Sequence, residues 1–490
     1  MAHSLFPKRT GTSPAVLWLD ALLLAVLSTI LSIQLFIPPF IGLADNGDFP
    51  KISGLFSLTK DQRQNFRYFV SEYEYSQNSY DRGLRFSGVV PAAAAIYLSR
   101  LIHGPKQFDI RYLGLCHGIM FLLTFYLFLV FLRRYPLPTR ATLAALSLWI
   151  FSDVAYVSYF NSFYSDTIAY LGLLLMTVTA LHIATNNQSR WVFWVLFSLA
   201  AILFTTSKAQ HGLWAVFPAA FAVWSGFMSG SRLRKLYGCS LCAVLLLTSA
   251  VEFFLGTPKW YKATALYSVI FLKVLQYSPA PERDIQSLGL SPGDLRNVGL
   301  TPWRPHSPVA DEKWLTKFYG VASRSLPRFY LHHPKRVLQL LMRDLKEHGA
   351  QIRFRELANF RQADGYPPGA LATRFSSWSW LRTALLSRWP SMLVLWYLLI
   401  IAVCMVSVVN SSDNLTSRLS AICLGIVAMA MLEYCFASLS DALQTERHLF
   451  LFHAMTDVTF CFAAGALLTG KLSHTLKHFN MQKARTVTVL

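Results

Sequence analysis

Long apolar stretches separated by shorter polar segments dominate the chain. A bilayer core requires about 20 apolar residues per helix, and about ten stretches approach that length. They lie near 15–37, 112–132, 141–160, 167–184, 191–206, 212–229, 236–256, 390–409, 419–437 and 449–469. One further stretch, 87–102, is short for a span and predicts a re-entrant or surface-lying helix. The pattern predicts an all-α polytopic membrane protein with about ten transmembrane helices.

The Lys and Arg residues of the short loops predict the orientation of these helices. One set of loops is basic, and its residues are Arg133, Arg134, Arg140, Arg190, Arg232, Arg234, Lys235 and Arg418, with Lys471, Lys477, Lys483 and Arg485 in the tail. The alternate loops are poor in basic residues, since 161–166 has none and 207–211 has Lys208. The positive-inside rule therefore places both termini in the cytoplasm.

Two long outer segments divide the chain. The segment 38–111 belongs to an N-terminal membrane core at 1–256, and 257–388 forms a large outer loop. The last three helices and a basic tail occupy 389–490.

Both outer segments predict helices at the membrane interface. In the first segment, 60–87 is polar and aromatic, which suits a helix lying on the membrane surface. In the second segment, 278–312 is rich in Pro, Gly and charge and predicts a loop, whereas 313–361 has helical periodicity. Lys335, Arg336, Arg343 and Lys346 mark a basic amphipathic helix. It would contact anionic lipid headgroups or gather phosphate-bearing lipids.

Composition excludes a soluble enzyme and a disordered chain. Hydrophobic residues make up 54% of the 490 residues and charged residues 14%, where soluble domains have roughly 25% charged residues. The mean hydropathy is +0.38. The 7 cysteines fall within apolar stretches, which predicts packing rather than a disulfide framework.

The net charge of +20 is unevenly distributed along the chain. The outer loop 257–388 has 20 Lys and Arg against 9 Asp and Glu, a net charge of +11. The positive-inside rule does not explain this excess of positive charge, because long loops are translocated across the membrane largely regardless of their charge. It suggests an anionic ligand on the outer face.

An acidic turn follows the first helix. The sequence Asp45-Asn46-Gly47-Asp48-Phe49-Pro50 contains turn-forming residues and two carboxylates. A carboxylate held at the membrane surface suits a general base for a hydroxyl. Two alternatives remain, namely an Asx-type turn that caps the next segment and a divalent cation such as Mg²⁺ or Mn²⁺ bound by Asp45 and Asp48.

This order of segments resembles the GT-C class of polytopic glycosyltransferases. Residues 45–49 resemble the Asn-Gly-Asp-Phe signature of the bacterial hexose transferases of the WsfD type. The further matches are Asn161-Ser-Phe-Tyr-Ser-Asp166, Thr206-Ser-Lys208-Ala-Gln210, Phe329-Tyr-Leu-His-His333-Pro334 and Glu446-Arg447-His448-Leu-Phe-Leu-Phe452. The resemblance covers about 40–460. The chain departs from the pattern at Asp166, where the family has a Glu-type residue.

The resemblance implies transfer of a hexose from a polyprenyl-phosphate donor, with inversion, to a glycan or a lipid-linked glycan. It implies that Asp48 is the base and that Asp45 orients it, holds a metal with it or stabilises the turn. The active site would face the periplasm or cell exterior from a bacterial inner membrane. Membrane lipids are expected partners and nucleic acid is not.

Five further residues are candidates for binding the phosphate or the substrate, namely Lys208, His211, Arg447, His448 and Asp166. Each has a structural alternative. Lys208 lies at a helix end, where it would snorkel to the interface. Arg447 and His448 would pair with nearby carboxylates, and Asp166 suits a helix N-cap.

Two other functions remain open at this point. A transporter or flippase of lipid-linked sugars would require polar residues near the bilayer midplane, whereas most of the polar candidates here lie at the outer mouths of helices. A glycan polymerase or ligase also has a large basic outer loop, but it would not need the acidic turn.

Overall fold

A computed structural model of the chain describes residues 14–59, 66–76, 86–185, 189–410 and 413–470. Its α-helices are α1 (Pro14–Leu35), α2 (Pro50–Ser53), α3 (Val89–His103), α4 (Arg111–Leu132), α5 (Leu137–Phe151), α6 (Val154–Val157), α7 (Ser165–Thr185), α8 (Trp191–Thr205), α9 (Val216–Met228), α10 (Arg232–Val251), α11 (Lys259–Val269), α12 (Pro281–Ser287), α13 (Glu312–His332), α14 (Pro334–Glu347), α15 (Ser377–Arg388), α16 (Ser391–Asn410), α17 (Asn414–Ser440), α18 (Thr445–His448) and α19 (Phe450–Leu468).

Within the described residues, seven helices are long and apolar enough to cross a membrane. They are α1, α4, α7, α16, α17, α19 and α10, which continues through a π-helical turn to Gly256. The other three predicted spans correspond to the shorter helices α5, α8 and α9. The chain is therefore a predominantly helical, multi-pass membrane protein. The number of spans and the cytoplasmic location of the termini stay predictions.

The span predicted at 141–160 ends earlier than its apolar sequence indicates. Helix α5 stops at Phe151, and Asp153 caps the short helix α6 by accepting a hydrogen bond from the backbone N–H of Ala155 (2.9 Å). The Ser152 carbonyl accepts a hydrogen bond from the side chain of Gln34 (3.0 Å). These polar contacts terminate the helix and turn the chain toward α7.

Helix α7 forms the centre of the bundle. It is buried along its length and packs against α4, α8, α17 and α19. Its Tyr170 ring stacks on Tyr156 with centroids 4.9 Å apart, and the Phe450 ring of α19 packs on both. By contrast, α1 exposes large apolar side chains such as Trp18 and Leu22, as a helix that faces lipid does.

One strand of a small antiparallel sheet lies within 60–87, where an interfacial helix was expected. Its strands are β1 (Leu58–Thr59), β2 (Glu72–Tyr75) and β3 (Gln107–Asp109), in the order β1-β2-β3. The helix prediction is wrong at β2 because Glu-Tyr-Glu-Tyr alternates exposed and buried positions, as a strand does. The remaining residues of that stretch, 60–65 and 77–85, lie outside the described residues.

Helix α3 begins and ends beside the same part of the bundle. Gly88, just before it, lies against Ser165, and Phe108 of β3, just after it, packs on Phe163. A helix of 15 residues is about 22 Å long, shorter than the hydrocarbon core of about 30 Å. These contacts support a surface-lying or re-entrant helix at 87–102 rather than a span.

The outer segment 257–388 has its own apolar core between α11, α13 and α14. Residues 313–361 are helical as far as Glu347, and 348–361 are irregular, which corrects that prediction. The predicted loop 278–312 contains the short helix α12. The irregular part joins the first outer segment, because the backbone N–H groups of Gly42 and Ala44 donate to the carbonyls of Asn359 and Ala358.

Candidate functional site

The turn that follows α1 is built around the side chain of Asp45. Its Oδ1 accepts hydrogen bonds from the backbone N–H groups of Gly47 (2.7 Å) and Phe49 (3.1 Å). Gly47 has a φ of +102°, a conformation that glycine adopts more readily than residues with a side chain. This geometry favours the turn-stabilising role for Asp45, and the turn presents Asp48 just before α2.

Both carboxylate oxygens of Asp48 contact a cation. Lys51 Nζ lies 2.5 Å from Oδ1, and an Arg447 guanidinium nitrogen lies 2.7 Å from Oδ2. Burial alone would raise the pKa of Asp48, but the charges of Lys51 and Arg447 and their hydrogen bonds outweigh it. They hold the pKa well below its usual range. Asp48 is therefore an ionised carboxylate with weak basicity in this state.

Lys51 is a site residue that the sequence analysis missed. It lies in α2, three residues after Asp48, a spacing that brings two side chains together on a helical turn. Burial by itself lowers the pKa of Lys51, but the attraction of Asp48 outweighs it and raises the pKa. Its ammonium also lies 4.4 Å from the ring centroid of Tyr261. The three-residue spacing between Asp48 and Lys51 is the sequence feature from which Lys51 could have been identified.

Arg447 reaches Asp48 because α18 is tied to the acidic turn. Asn46 Nδ2 donates to Oε1 of Gln444 (2.5 Å), which has a φ of +57° and precedes α18. The Tyr164 hydroxyl accepts a hydrogen bond from the backbone N–H of Asn46 (3.1 Å), and the Arg447 guanidinium lies 4.9 Å from the Tyr164 ring centroid. Asn46, Gln444 and Tyr164 therefore position the Asp48–Arg447 pair.

Asp166 and Lys208 form a second ion pair near the first. Lys208 Nζ lies 2.5 Å from Asp166 Oδ1. Asp166 is in the first turn of α7 and buried, and its Oδ2 has no hydrogen-bond partner among the described residues. Lys208 is therefore paired with a carboxylate rather than directed freely to an interface.

The two candidate histidines have different surroundings. His448 lies beside the site, with Nε2 3.1 Å from Asp441 Oδ2. His211 is fully buried, with Nδ1 2.6 Å from Ser207 Oγ and its ring stacked on Phe204. The side chain of His211 does not line the cavity that Lys208 and His448 border, so no contact among the described residues supports the prediction that it binds phosphate.

One cavity of about 740 Å³, a volume typical of ligand pockets, is bordered by Asp48, Asp166, Lys208, Arg447 and His448, whereas Asp45 does not line it. The charged and titratable side chains of its lining are Asp48, Lys51, Asp166, Lys208, Lys262, Asp441, Arg447 and His448. Its apolar lining includes Phe253, Leu266, Leu326, Leu432, Phe436 and Leu439. The cavity thus suits an amphipathic ligand whose charged part meets the ion pairs.

The described residues do not assemble a metal site around Asp45 and Asp48. No group of three or more His, Cys, Asp or Glu side chains that could hold a metal occurs in the described part of the chain. Asp45 accepts backbone hydrogen bonds and Asp48 binds two cationic side chains. The contacts of Asp45 and Asp48 among the described residues therefore do not support the alternative of a Mg²⁺ or Mn²⁺ ion bound by these two carboxylates.

Comparison with known families yields one match over almost the whole chain. The model described as the YfdI N-terminal transmembrane domain matches residues 8–486. No curated protein matches the chain.

Proposed function

Given that the chain belongs to the YfdI N-terminal transmembrane domain family, we propose that it is a membrane glycosyltransferase of the GT-C type. It transfers a hexose from a polyprenyl-phosphate donor to a glycan or lipid-linked glycan. The reaction takes place on the periplasmic or outer face of a bacterial inner membrane. The likeness to the WsfD type is part of this proposal.

The observation that carries the proposal is that one cavity is lined by both ion pairs and large apolar side chains. A polyprenyl-phosphate sugar has the matching chemistry, since its phosphate is anionic and its prenyl chain is a hydrocarbon. Arg447, Lys51 and Lys208 provide cations in the lining. Phe436 and Leu439 of α17 belong to the apolar lining, where they would contact the prenyl chain.

Glycosyl transfer with inversion requires a base for the acceptor hydroxyl and positive charge for the leaving phosphate. Asp48 lies on the wall of the cavity and is the candidate base. Lys51 and Arg447 contact it and are the candidate phosphate ligands. A base and two cations in contact, in a cavity that also has an apolar lining, support a transferase. A flippase would need a polar path through the bundle.

The proposal is tested by replacing Asp48→Asn in cells that make the surface glycan. Mass spectrometry should show loss of one hexose from the glycan, while expression of the protein and donor levels stay unchanged. Asp364→Asn is a matched control, because Asp364 also pairs with a basic residue at a three-residue spacing, Arg361 (2.7 Å), and does not line the cavity.

Each of the remaining outcomes would contradict part of the proposal. Transfer at the wild-type rate in Asp48→Asn would exclude Asp48 as the base. Accumulation of donor on the cytoplasmic leaflet would favour a flippase. Loss of the whole polymer instead of one hexose would favour a polymerase or ligase.

A further inference from the structure

The lining of the cavity has more cations than carboxylates. Asp48, Asp166 and Asp441 carry three negative charges, and Lys51, Lys208, Lys262 and Arg447 carry four positive charges, so with His448 neutral the lining has a net charge of +1. Lys208 pairs with Asp166, and Lys51 and Arg447 share Asp48. The phosphodiester of a prenyl-phosphate sugar carries one negative charge and would neutralise the excess.

Arg447 still has a free donor in this arrangement. Its side chain is 7% exposed, and its Nε–H has no hydrogen-bond partner among the described residues. A buried donor without a partner is destabilising, so an oxygen that accepts from Nε–H would be bound favourably. The planar guanidinium can bind the oxygens of a phosphate as well as those of a carboxylate. Arg447 is therefore equipped to bind a phosphate.

The resting contacts of Asp48 conflict with its proposed role as the base. A carboxylate whose two oxygens each meet a cation is stabilised in its ionised form and accepts a proton poorly. Asp48 would become a stronger base if Lys51 and Arg447 interacted partly with another anion instead of with Asp48. The donor phosphate is such an anion, and its binding would place it in the same cavity.

We infer that the donor phosphate competes with Asp48 for Lys51 and Arg447, so that donor binding releases the carboxylate that then takes the acceptor proton. This inference rests on the proposed function. Lys51 and Arg447 thereby couple binding of the donor to activation of the base, and the acceptor is activated only after the donor has bound.

The charges and atoms of the transfer step balance under this exchange. The acceptor oxygen forms a bond to the anomeric carbon, and the bond between that carbon and the phosphate oxygen breaks with its electron pair on the phosphate. The hydroxyl proton moves to Asp48. The phosphate charge changes from −1 to −2 while Asp48 becomes neutral, so Lys51 and Arg447 follow the negative charge from the carboxylate to the phosphate.

The experiment measures binding of farnesyl phosphate to the purified full-length protein in nanodiscs, by tryptophan fluorescence. Asp48→Asn removes the competing charge, so we expect it to bind farnesyl phosphate about tenfold more tightly than the wild type. Lys51→Gln and Arg447→Lys should each bind it about tenfold more weakly. Farnesol, which lacks the phosphate, should bind Asp48→Asn and the wild type equally.

The outcomes separate this inference from the proposed function. Equal or weaker binding of farnesyl phosphate by Asp48→Asn would overturn the competition, even if the wild type binds the probe. Absence of farnesyl phosphate binding by the wild type would instead overturn the proposed donor class. Asp48→Ala is a second variant that tests the competition if Asp48→Asn does not fold, and Asp364→Asn controls for a change of charge outside the cavity.

Discussion

Lys273 joins the outer segment to the end of α17, and its removal should destabilise the protein strongly. Its Nζ lies 2.9 Å from Asp344 Oδ2 and donates to the carbonyls of Ser438 and Asp441, each at 2.9 Å. The three donors of the ammonium are thus matched by three acceptors. The Lys273 and Asp344 side chains are 5% and 4% exposed.

Burial decides the size of the effect. A surface ion pair contributes about 0–1 kcal/mol, whereas loss of one partner from a buried pair costs about 3–5 kcal/mol because the other charge stays buried. We therefore expect Lys273→Met to lower the free energy of unfolding by about 3–5 kcal/mol. Lys273→Met combined with Asp344→Leu removes both charges and should recover part of that loss, because the carbonyls of Ser438 and Asp441 still lack their donor.

The assay is unfolding of the purified protein in detergent, followed by tryptophan fluorescence against temperature and denaturant. Glu347→Gln is the control, since Glu347 pairs with Arg343 at 3.0 Å but is 44% exposed. It should change stability by less than about 1 kcal/mol. A Lys273→Met protein as stable as the wild type, or a double variant without recovery, would refute the reasoning.

Three further predictions concern the site and its support. Lys208→Met leaves the Asp166 carboxylate buried without its cation and should cost about 3–5 kcal/mol in the same unfolding assay, most of which Asp166→Asn should restore in the double variant. Gly42→Ala would add a methyl group that overlaps the ring of buried Phe69, and it should lower the free energy of unfolding by about 1–3 kcal/mol. An unchanged unfolding midpoint would contradict that contact. The pKa of Asp48 is depressed, so its stabilising effect is present above the usual carboxyl pKa of about 4 and is lost as the pH falls below it. The stability difference between wild type and Asp48→Asn should accordingly be constant from about pH 8 to 5 and shrink below about pH 4, and a difference independent of pH would contradict the ion pairs.

Hydropathy predicted the positions of the membrane helices because a bilayer imposes a local requirement on each one. It did not predict where α5 ends, since that depends on the cap formed by Asp153 and on the distant side chain of Gln34. It also did not find β2, whose partner β3 is separated from it by α3. Such contacts depend on the tertiary fold and leave little trace in local sequence.

The site was predictable where a polar residue interrupts an apolar run. Asp48, Asp166, Lys208, Arg447 and His448 lie at such positions, and the structure brings them to one cavity. The ion pairs among them were not predictable, because they join residues far apart in the chain.

Lys208 and His211 show that closeness in sequence does not predict a shared site. Lys208 has extended backbone and reaches Asp166, whereas the 3₁₀ helix Ala209–Ala215 that follows turns His211 into the protein toward Glu433. A change of backbone direction over a few residues separated a cation at the cavity from a buried histidine.

The net charge of the large outer loop does not explain most of the cations that line the cavity. Within the described residues, Lys262 is the basic residue from 257–388 that lines the cavity, while Arg336 and Arg343 pair with carboxylates of their own segment. The cations that contact the carboxylates in the cavity come instead from α2, from the junction after α8 and from α18. We therefore expect the loop charge to act at long range, by attracting anionic lipids toward the membrane face, with screening by salt over about 10 Å at 0.1 M. The proposed short-range binding of phosphate would depend on residues whose charge the composition of the loop does not reveal.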